Sequence, residues 1–212
     1  MTAIVFARKA ALFGLVLALV GCASLLTEKP KPLYQLTPKS TFPAGLPHLP
    51  GQLLVDLPLA PGGLDSERIA LSNSPVSLDY FADGEWTDRA PRLVQTALLE
   101  SFENSRTVTA IDRETIGLSA DLVLKTELRH FEAAYDAPNT PPQVWVVLNA
   151  RLVKMPERKI IAQQSFEARA PAAANRIADI VLAFDEALGK VMKEAVTWTV
   201  TNPALQVRPR RL

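Results

Sequence analysis

Apolar and polar residues alternate most regularly in three consecutive stretches in the second half of the chain. Over residues 121–133 leucines fall on one side and charged residues on the other, and the same period of two returns over residues 143–154 and 159–169. A period of two is typical of a strand with one buried face. Because short links join the three stretches, they predict an antiparallel meander of long strands.

Two other stretches carry the helical period. The first is predicted to begin near Asp88, a favourable N-cap residue, with Pro91 in its first turn, where a missing N–H costs nothing. The second covers residues 175–199 and ends before Asn202-Pro203. The predicted buried faces follow i, i+3, i+4 spacing and comprise Val94, Ala97, Leu98, Ser101 and Phe102 in the first helix, and Ile177, Ile180, Val181, Phe184, Leu188, Val191, Ala195 and Trp198 in the second.

Shorter strands are predicted before the meander. Residues 52–59 place Leu53, Val55, Leu57 and Leu59 on one side, and further strands are expected over residues 64–71, 76–81 and 107–111. The predicted fold is therefore a mixed α+β domain over residues 51–201. It has one mixed sheet with a long antiparallel meander, packed by two main helices.

The chain on either side of this domain has a different composition. Residues 22–50 contain Pro30, Pro32, Pro38, Pro43, Pro47 and Pro50. Prolines fix φ and remove main-chain donors, so this segment is predicted to be an extended tether with one strand-like piece at residues 33–36. Residues 202–212 are predicted to form a flexible basic tail, because they carry Arg208, Arg210 and Arg211.

The first 22 residues have the pattern of a lipoprotein leader. Arg8 and Lys9 precede an apolar run over residues 10–20, and Gly21 precedes Cys22, the single cysteine of the chain. Residues 1–21 are therefore predicted to be a signal peptide, and Cys22 to be the lipidation site that carries a diacylglycerol and an N-acyl chain. The alternative is a transmembrane anchor with an incidental cysteine, but a spanning helix needs about 20 apolar residues.

Composition excludes several classes of function. Removing residues 1–21 leaves 191 residues with 21 Lys plus Arg against 22 Asp plus Glu, so no charge excess favours nucleic acid. With Cys22 acylated, no thiol remains for a disulfide or a thiolate metal site. We expect no cofactor other than the covalent lipid.

Residues that carry catalytic chemistry are scarce. The two histidines, His48 and His130, have no second histidine at ligand spacing, and no nucleophile-elbow, zincin, dinucleotide or phosphate-loop motif occurs. The adjacent acids Asp185 and Glu186 are predicted to be solvated on the polar face of the second helix. No catalytic or metal-binding residue is predicted, and the protein is not expected to be an enzyme.

Two tryptophans are candidate partner contacts. Trp86 follows Asp83-Gly84 at a predicted loop edge, where binding residues concentrate, although packing in the core is the alternative. Trp145 falls on the outward side of its strand, where it either meets another helical layer or is exposed to a partner.

Beyond single residues, the order of several motifs resembles a known family. After the lipobox the chain carries Tyr34-Gln35-Leu36, VDLPLA at 55–60, LDSERI at 64–69, LDYFADGEW at 78–86, Ala90-Pro91, Leu98, AFDEA at 183–187 and Trp198. This series resembles the ABC-type transport auxiliary lipoproteins, the group that includes the lipoprotein of paraquat-inducible Pqi systems. The resemblance covers nearly the whole chain after Cys22.

The resemblance implies a role and partners. Members work beside a mammalian-cell-entry (Mce) type substrate-binding protein, a permease and a separate ATPase that move lipids across the Gram-negative envelope, and some form homo-oligomeric rings. The implied protein is a non-catalytic, lipid-anchored periplasmic component, and Ala23 after the cysteine, where aspartate is the inner-membrane retention signal, favours the outer membrane. The alternatives are a structural outer-membrane lipoprotein that assists another envelope complex, and a hydrolase, which the missing nucleophile and base disfavour.

Overall fold

The computed structural model describes residues 30–114, 119–137 and 140–206. The predicted leader, Cys22 and residues 207–212 of the predicted tail lie outside these ranges. From Pro32 onward the chain forms one compact unit.

The described part of the chain confirms a mixed α+β fold with one sheet and two main helices. The strands are β1 (Leu33–Tyr34), β2 (Leu49–Val55), β3 (Arg68–Ser72), β4 (Asp79–Trp86), β5 (Val108–Arg113), β6 (Leu122–Ala134), β7 (Gln143–Lys154) and β8 (Lys159–Pro171). The helices are α1 (Ala90–Ser105), α2 (Ile177–Thr201) and a short α3 (Pro203–Gln206). The predicted meander is present as β6, β7 and β8, which pair antiparallel in sequence order.

The sheet forks along one side of β6. The first residues of β6 pair in parallel with β2, which also pairs with β5, and its last residues pair in parallel with β3, which leads on to β4 and β1. Between these two branches Leu59 forms an isolated bridge to Glu127. The other side of β6 pairs with β7 along almost its whole length. The central strand therefore joins the meander to both branches.

Both main helices contribute to a core on one face of the sheet. Alternate residues of β6 and β7 point into this core and are fully buried, as the period of two predicted. At its centre Trp86 from β4, Phe131 from β6 and Phe184 from α2 meet with ring centroids 4.9–5.7 Å apart. The predicted buried face of α1 is buried throughout, and that of α2 is buried except at Ile177 and Trp198, which are half-buried.

The start of α1 differs by one residue from the prediction. Arg89 is the N-cap, and the carboxylate of Asp88 accepts the Arg89 N–H at 2.7 Å instead of bonding inside the helix. Pro91 lies in the first turn, as expected. At the other end Arg106 adopts a φ of 55° and ends the helix in the left-handed conformation.

Two details of the early strands were predicted incorrectly. Strand β2 ends at Val55, so Leu57 and Leu59 are 44% and 69% exposed instead of buried. Pro58 lacks the N–H that would continue a ladder, and beyond Asp56 the next main-chain bond to β6 is that of Leu59, whose N–H donates to the Thr126 carbonyl at 2.9 Å. Asp83 and Gly84 were expected to close a strand, but they lie inside β4, which continues to Trp86.

The predicted tether is part of the folded domain from Pro32 onward. Leu36 and Leu49 are 5% and 1% exposed, and Phe42 and Leu46 pack against the core. Prolines favour an extended chain, but extended chain also lies along a surface when it carries apolar residues. The expected start of the domain at Gly51 is therefore too late in the sequence.

The segment is also tied to α2 by hydrogen bonds. The main-chain N–H of Thr37 donates to Asp185 Oδ1 at 2.7 Å, and the Thr37 hydroxyl donates to Asp185 Oδ2 at 2.7 Å. The prediction that Asp185 is a solvated charge was wrong, because its carboxylate holds the segment. Glu186 is exposed and pairs with Lys190 one turn away.

Candidate docking site

The face of the meander opposite the helices carries polar, aromatic and a few apolar side chains. In the described ranges no helix covers this open face. At one end Leu54, Val123 and Val153 form a small separate apolar cluster. At the other end a set of aromatic and charged side chains lies beneath the loop that joins β3 to β4. This second end contains the candidate site.

Three side chains stand side by side across the meander at this end. Glu132, Trp145 and Arg169 are direct partners in the registers of β6, β7 and β8. The guanidinium of Arg169 lies 4.2 Å from the centroid of the Trp145 ring, and Trp145 Nε1–H donates to Glu167 Oε1 at 2.8 Å. Cross-strand contacts of this kind stabilise a sheet. The orientation of Trp145 is therefore fixed.

A histidine covers the remaining face of the indole. The rings of His130 and Trp145 stack with centroids 3.5 Å apart and an interplanar angle of 17°. His130 Nδ1 is 2.7 Å from Glu132 Oε1, and Glu132 Oε2 accepts the main-chain N–H of Phe131 at 2.6 Å. A register shift between Leu128 and His130 brings His130 onto this face. Glu132 is only 6% exposed, so both of its oxygens are held inside the cluster.

A groove of about 640 Å³ lies between this cluster and the loop over residues 72–78. We call it the aromatic groove. Its floor is the His130–Trp145 stack, and its lining includes Arg129, Glu132, Tyr135 and Arg169 together with the apolar residues Pro61, Leu64, Pro75, Val76 and Leu78. Val76 is 97% exposed and Leu78 is 43% exposed. An exposed apolar wall beside fixed charged groups is typical of a binding surface.

Hydrogen bonds hold the surroundings of the groove in place. Ser74 and Ser77 join the two sides of the loop through their hydroxyl groups, whose oxygens are 2.9 Å apart. Tyr80 O–H donates to the Gly63 carbonyl at 3.0 Å. Tyr135 O–H donates to Asn175 Oδ1 at 2.6 Å, and partial burial raises the pKa of this tyrosine, so it remains a neutral donor. These bonds give the groove a defined shape.

The two predicted partner contacts have different positions. Trp145 lies on the outward side of its strand, as predicted, and forms part of the groove floor. Trp86 is 1% exposed and packs against Phe131 and Phe184. It is therefore a core residue, which was the alternative interpretation, and a partner cannot reach it. A partner contact at Trp86 is therefore withdrawn.

Little in the local sequence indicates the rest of the site. His130 and Glu132 are two residues apart and therefore share a face of β6, which is a usable signal. Their meeting with Trp145 depends on a strand register that the sequence does not specify. Val76 falls in a stretch predicted to be a strand, yet it lies in the exposed loop before β4.

In the described residues no serine hydroxyl hydrogen-bonds to His130, as a Ser-His-acid triad requires. No group of three or more histidine, cysteine or acidic side chains in these ranges has metal-binding geometry. None of the helices within them has the length and apolar character needed to cross a bilayer. What the groove offers is a shaped apolar and charged surface.

Comparison with known proteins adds independent information. The model of one family, described as the ABC-type transport auxiliary lipoprotein component, matches residues 34–196. The uncharacterised protein bll6063 of Bradyrhizobium diazoefficiens is 33% identical over 165 residues. That alignment covers 77% of this chain and 43% of bll6063, so the chain spans less than half of that relative's length.

Solved structures share the fold. The crystal structure of protein XCC0632 from Xanthomonas campestris aligns with a TM-score of 0.74 and 28% identity, covering 79% of this chain and 94% of that one. A crystal structure of a second uncharacterised protein aligns with a TM-score of 0.57 at 14% identity, covering 85% of this chain and all of the other. The second likeness concerns the fold alone.

Proposed function

This chain belongs to the family of ABC-type transport auxiliary lipoprotein components, and on that premise we propose that it is a non-catalytic subunit of an Mce/Pqi-type system. Membership makes it a transport-associated lipoprotein of the cell envelope. In the proposed role it works with an Mce-type substrate-binding protein, a permease and an ATPase that move lipids or other hydrophobic molecules. The match over residues 34–196 carries this proposal, because it extends over nearly all of the folded domain.

The proposed membrane attachment is the lipid on Cys22. Cys22 lies ten residues before Pro32, where the folded domain begins. Two or more acyl chains give stable anchoring, whereas one gives only marginal binding. We propose that the domain faces the periplasm, and the alanine at position 23 favours the outer membrane.

The aromatic groove is the proposed docking site for the Mce-type protein. Val76 and Leu78 offer apolar surface to a partner, while Arg129 and Arg169 stand at the other side of the groove. Interfaces of this kind combine a buried apolar centre with polar groups around it. The proposed occupant is an apolar segment of the Mce-type protein that inserts its side chains between the loop and the His130–Trp145 stack.

The experiment is a mild-detergent pull-down of the full-length chain from its own envelope. We expect the Mce-type protein and the permease to copurify with the native chain and to be lost with Val76→Asp, which puts a charge into the apolar wall. Leu182→Asp is the matched control, since Leu182 is 68% exposed on α2. Cys22→Ser tests the anchor, and we expect it to release the protein from the membrane fraction.

Each outcome distinguishes the parts of the proposal. Copurification that is lost with Val76→Asp and kept with Leu182→Asp supports docking at the groove. If both variants keep the Mce-type protein, docking at this groove is wrong although the transport role stands. If a β-barrel or another assembly protein copurifies in place of all Mce components, the transport role is wrong and a structural outer-membrane lipoprotein replaces it.

A further inference from the structure

The last strand of the meander has a free edge. β8 pairs with β7 along one side, and no strand in the described ranges pairs with its other side. An edge strand presents a row of unpaired main-chain N–H and C=O groups, which is a template for another strand. At 13 residues, β8 is one of the two longest strands in this part of the chain.

The middle of this edge lacks most of the features that usually prevent strands from pairing. Natural edges are short, or carry charged side chains, lysine above all, or proline or a bulge. The charges in this stretch, Glu167 and Arg169, are of opposite sign. β1 is a two-residue edge, and β5 has six residues that include the exposed pair Asp112 and Arg113. In β8 the lysine and the register shift are confined to its beginning, and residues 162–170 contain no lysine, proline or glycine. This stretch is available for regular pairing.

The exposed side chains of this stretch are complementary in charge to the same side chains of a second copy of the chain. Glu167 and Arg169 are exposed neighbours on the open face, with Glu167 Oε1 3.4 Å from Arg169 Nε in the same chain. When two such strands pair antiparallel about Ala168, Glu167 of each copy stands opposite Arg169 of the other. This arrangement creates two cross-strand pairs of opposite charge, one on each side of Ala168. Pairs of opposite charge that stand directly opposite each other are favourable.

The helix-covered side of the strand suits the same register. Pairing about Ala168 sets Phe166 of one copy opposite Ala170 of the other, so a large side chain meets a small one. Trp198 is half-buried and contacts Phe166 edge-to-face, with centroids 5.7 Å apart. A second strand beside β8 extends the surface against which these aromatic rings pack.

We propose that β8 is an interface between two copies of this chain, paired antiparallel about a two-fold axis at Ala168. A two-fold contact uses the same surface of both copies and closes at two. The resulting sheet runs continuously through both domains and leaves the loop over residues 72–78 outside the strand contact. The proposal does not depend on the transport role, because it concerns the chain's contact with itself.

Charge reversal tests the pairing directly. In a Glu167→Arg homodimer both cross-strand pairs become arginine with arginine, and in an Arg169→Glu homodimer both become glutamate with glutamate. We expect each variant alone to raise the dimer dissociation constant about tenfold or more, since two attractive pairs become repulsive. An equimolar mixture of the two variants restores opposite charges at both positions, and we expect it to dimerise as the native chain does.

The measurement is the mass of the full-length chain in mild detergent by sedimentation equilibrium over a range of concentrations. Glu186→Arg is the matched control, because it makes the same charge change at an exposed site on α2 and should leave the mass unchanged. Circular dichroism of each variant checks that it is folded.

The outcomes are distinct from those of the pull-down. Recovery of the dimer only in the mixture supports antiparallel pairing of β8. A native chain that stays monomeric at every concentration overturns the proposal, and so does a dimer or a larger ring whose mass is unchanged by both single charge reversals. A mixture that stays as dissociated as the single variants rejects the register about Ala168.

Discussion

Gly51 shows how a single residue sets the entry to the sheet. Its φ is +86°, in the left-handed region, and a Cβ at this position would meet the carboxylate of Asp121. That carboxylate accepts the N–H of Gln52 at 2.7 Å, just before β2 pairs with β6. Only glycine satisfies both the backbone conformation and the close approach of Asp121.

We expect Gly51→Ala to lower the free energy of unfolding by about 2 to 3 kcal/mol, because it combines backbone strain with displacement of Asp121. Gly45→Ala is the matched control. Gly45 also has a positive φ, +77°, but in the described part of the chain no atom beyond its immediate neighbours lies within 4 Å of where a Cβ would stand. Only the strain of about 1 kcal/mol therefore applies there. Urea unfolding measures both changes, and equal losses at the two sites would show that the contact with Asp121 contributes nothing.

The candidate site shows what single residues reveal before a structure is known. The outward position of Trp145 follows from the alternation of β7, and a period of two is a local signal. The burial of Trp86 could not be predicted from the alternation of its neighbours. The pair Asp83-Gly84 indicated a turn, whereas β4 continues through it to Trp86. His130 meets Trp145 only through the register of two strands and a bulge, and neither is specified by the residues around them.

At the scale of elements, the segment over residues 32–50 is held by particular contacts. Tyr34 belongs to β1, Leu36 is buried, and Thr37 donates two hydrogen bonds to Asp185 on α2. The sequence predicted long strands and helices well, because apolar periods extend over many residues there. It predicted this segment incorrectly, since its isolated apolar residues follow no period that indicates burial.

We expect Asp185→Ala to lower the free energy of unfolding by about 1 to 2 kcal/mol, since it removes hydrogen bonds to a charged acceptor. Its local effect should be larger, with faster hydrogen exchange over residues 33–39. Glu186→Ala, one residue further on, removes only an exposed pair with Lys190 and should change stability by less than about 0.5 kcal/mol. Unchanged exchange over residues 33–39 in Asp185→Ala would contradict this account.

At the scale of the whole molecule, three aromatic rings join the parts of the sheet to the helices. Trp86 comes from one branch of the fork, Phe131 from the central strand and Phe184 from α2. The sequence identified Phe184 as buried through the helical period. It could not show that the three rings meet, because the branching of the sheet places them together.

We expect Phe184→Ala to lower the free energy of unfolding by about 3 to 5 kcal/mol, because it leaves a cavity among these rings. That is a large part of the roughly 5 to 15 kcal/mol typical of a domain, and Phe184→Asp should prevent folding. Leu182→Ala is the control on the same helix, since Leu182 is 68% exposed and its loss should cost less than about 0.5 kcal/mol. Thermal unfolding followed by circular dichroism compares the variants, and similar melting temperatures for Phe184→Ala and Leu182→Ala would contradict this role.

The attachment of residues 32–50 to the domain has a mechanical consequence. A pull applied to the chain before Pro32 reaches the domain first at β1, whose two residues pair with the end of β4, and next at the Thr37–Asp185 hydrogen bonds. Beyond them the segment is held by the buried side chain of Leu36 and by hydrogen bonds of Lys39 to α1, which together are far fewer contacts than the strand pairs of the meander. Under tension residues 32–50 should detach from the domain before the meander is disturbed. Their detachment would lengthen the chain between the membrane anchor and the domain by up to about 60 Å, at roughly 3.3 Å for each extended residue. We therefore expect the first extension of the chain under force to come from residues 32–50, and to be reversible because the core and the meander stay folded.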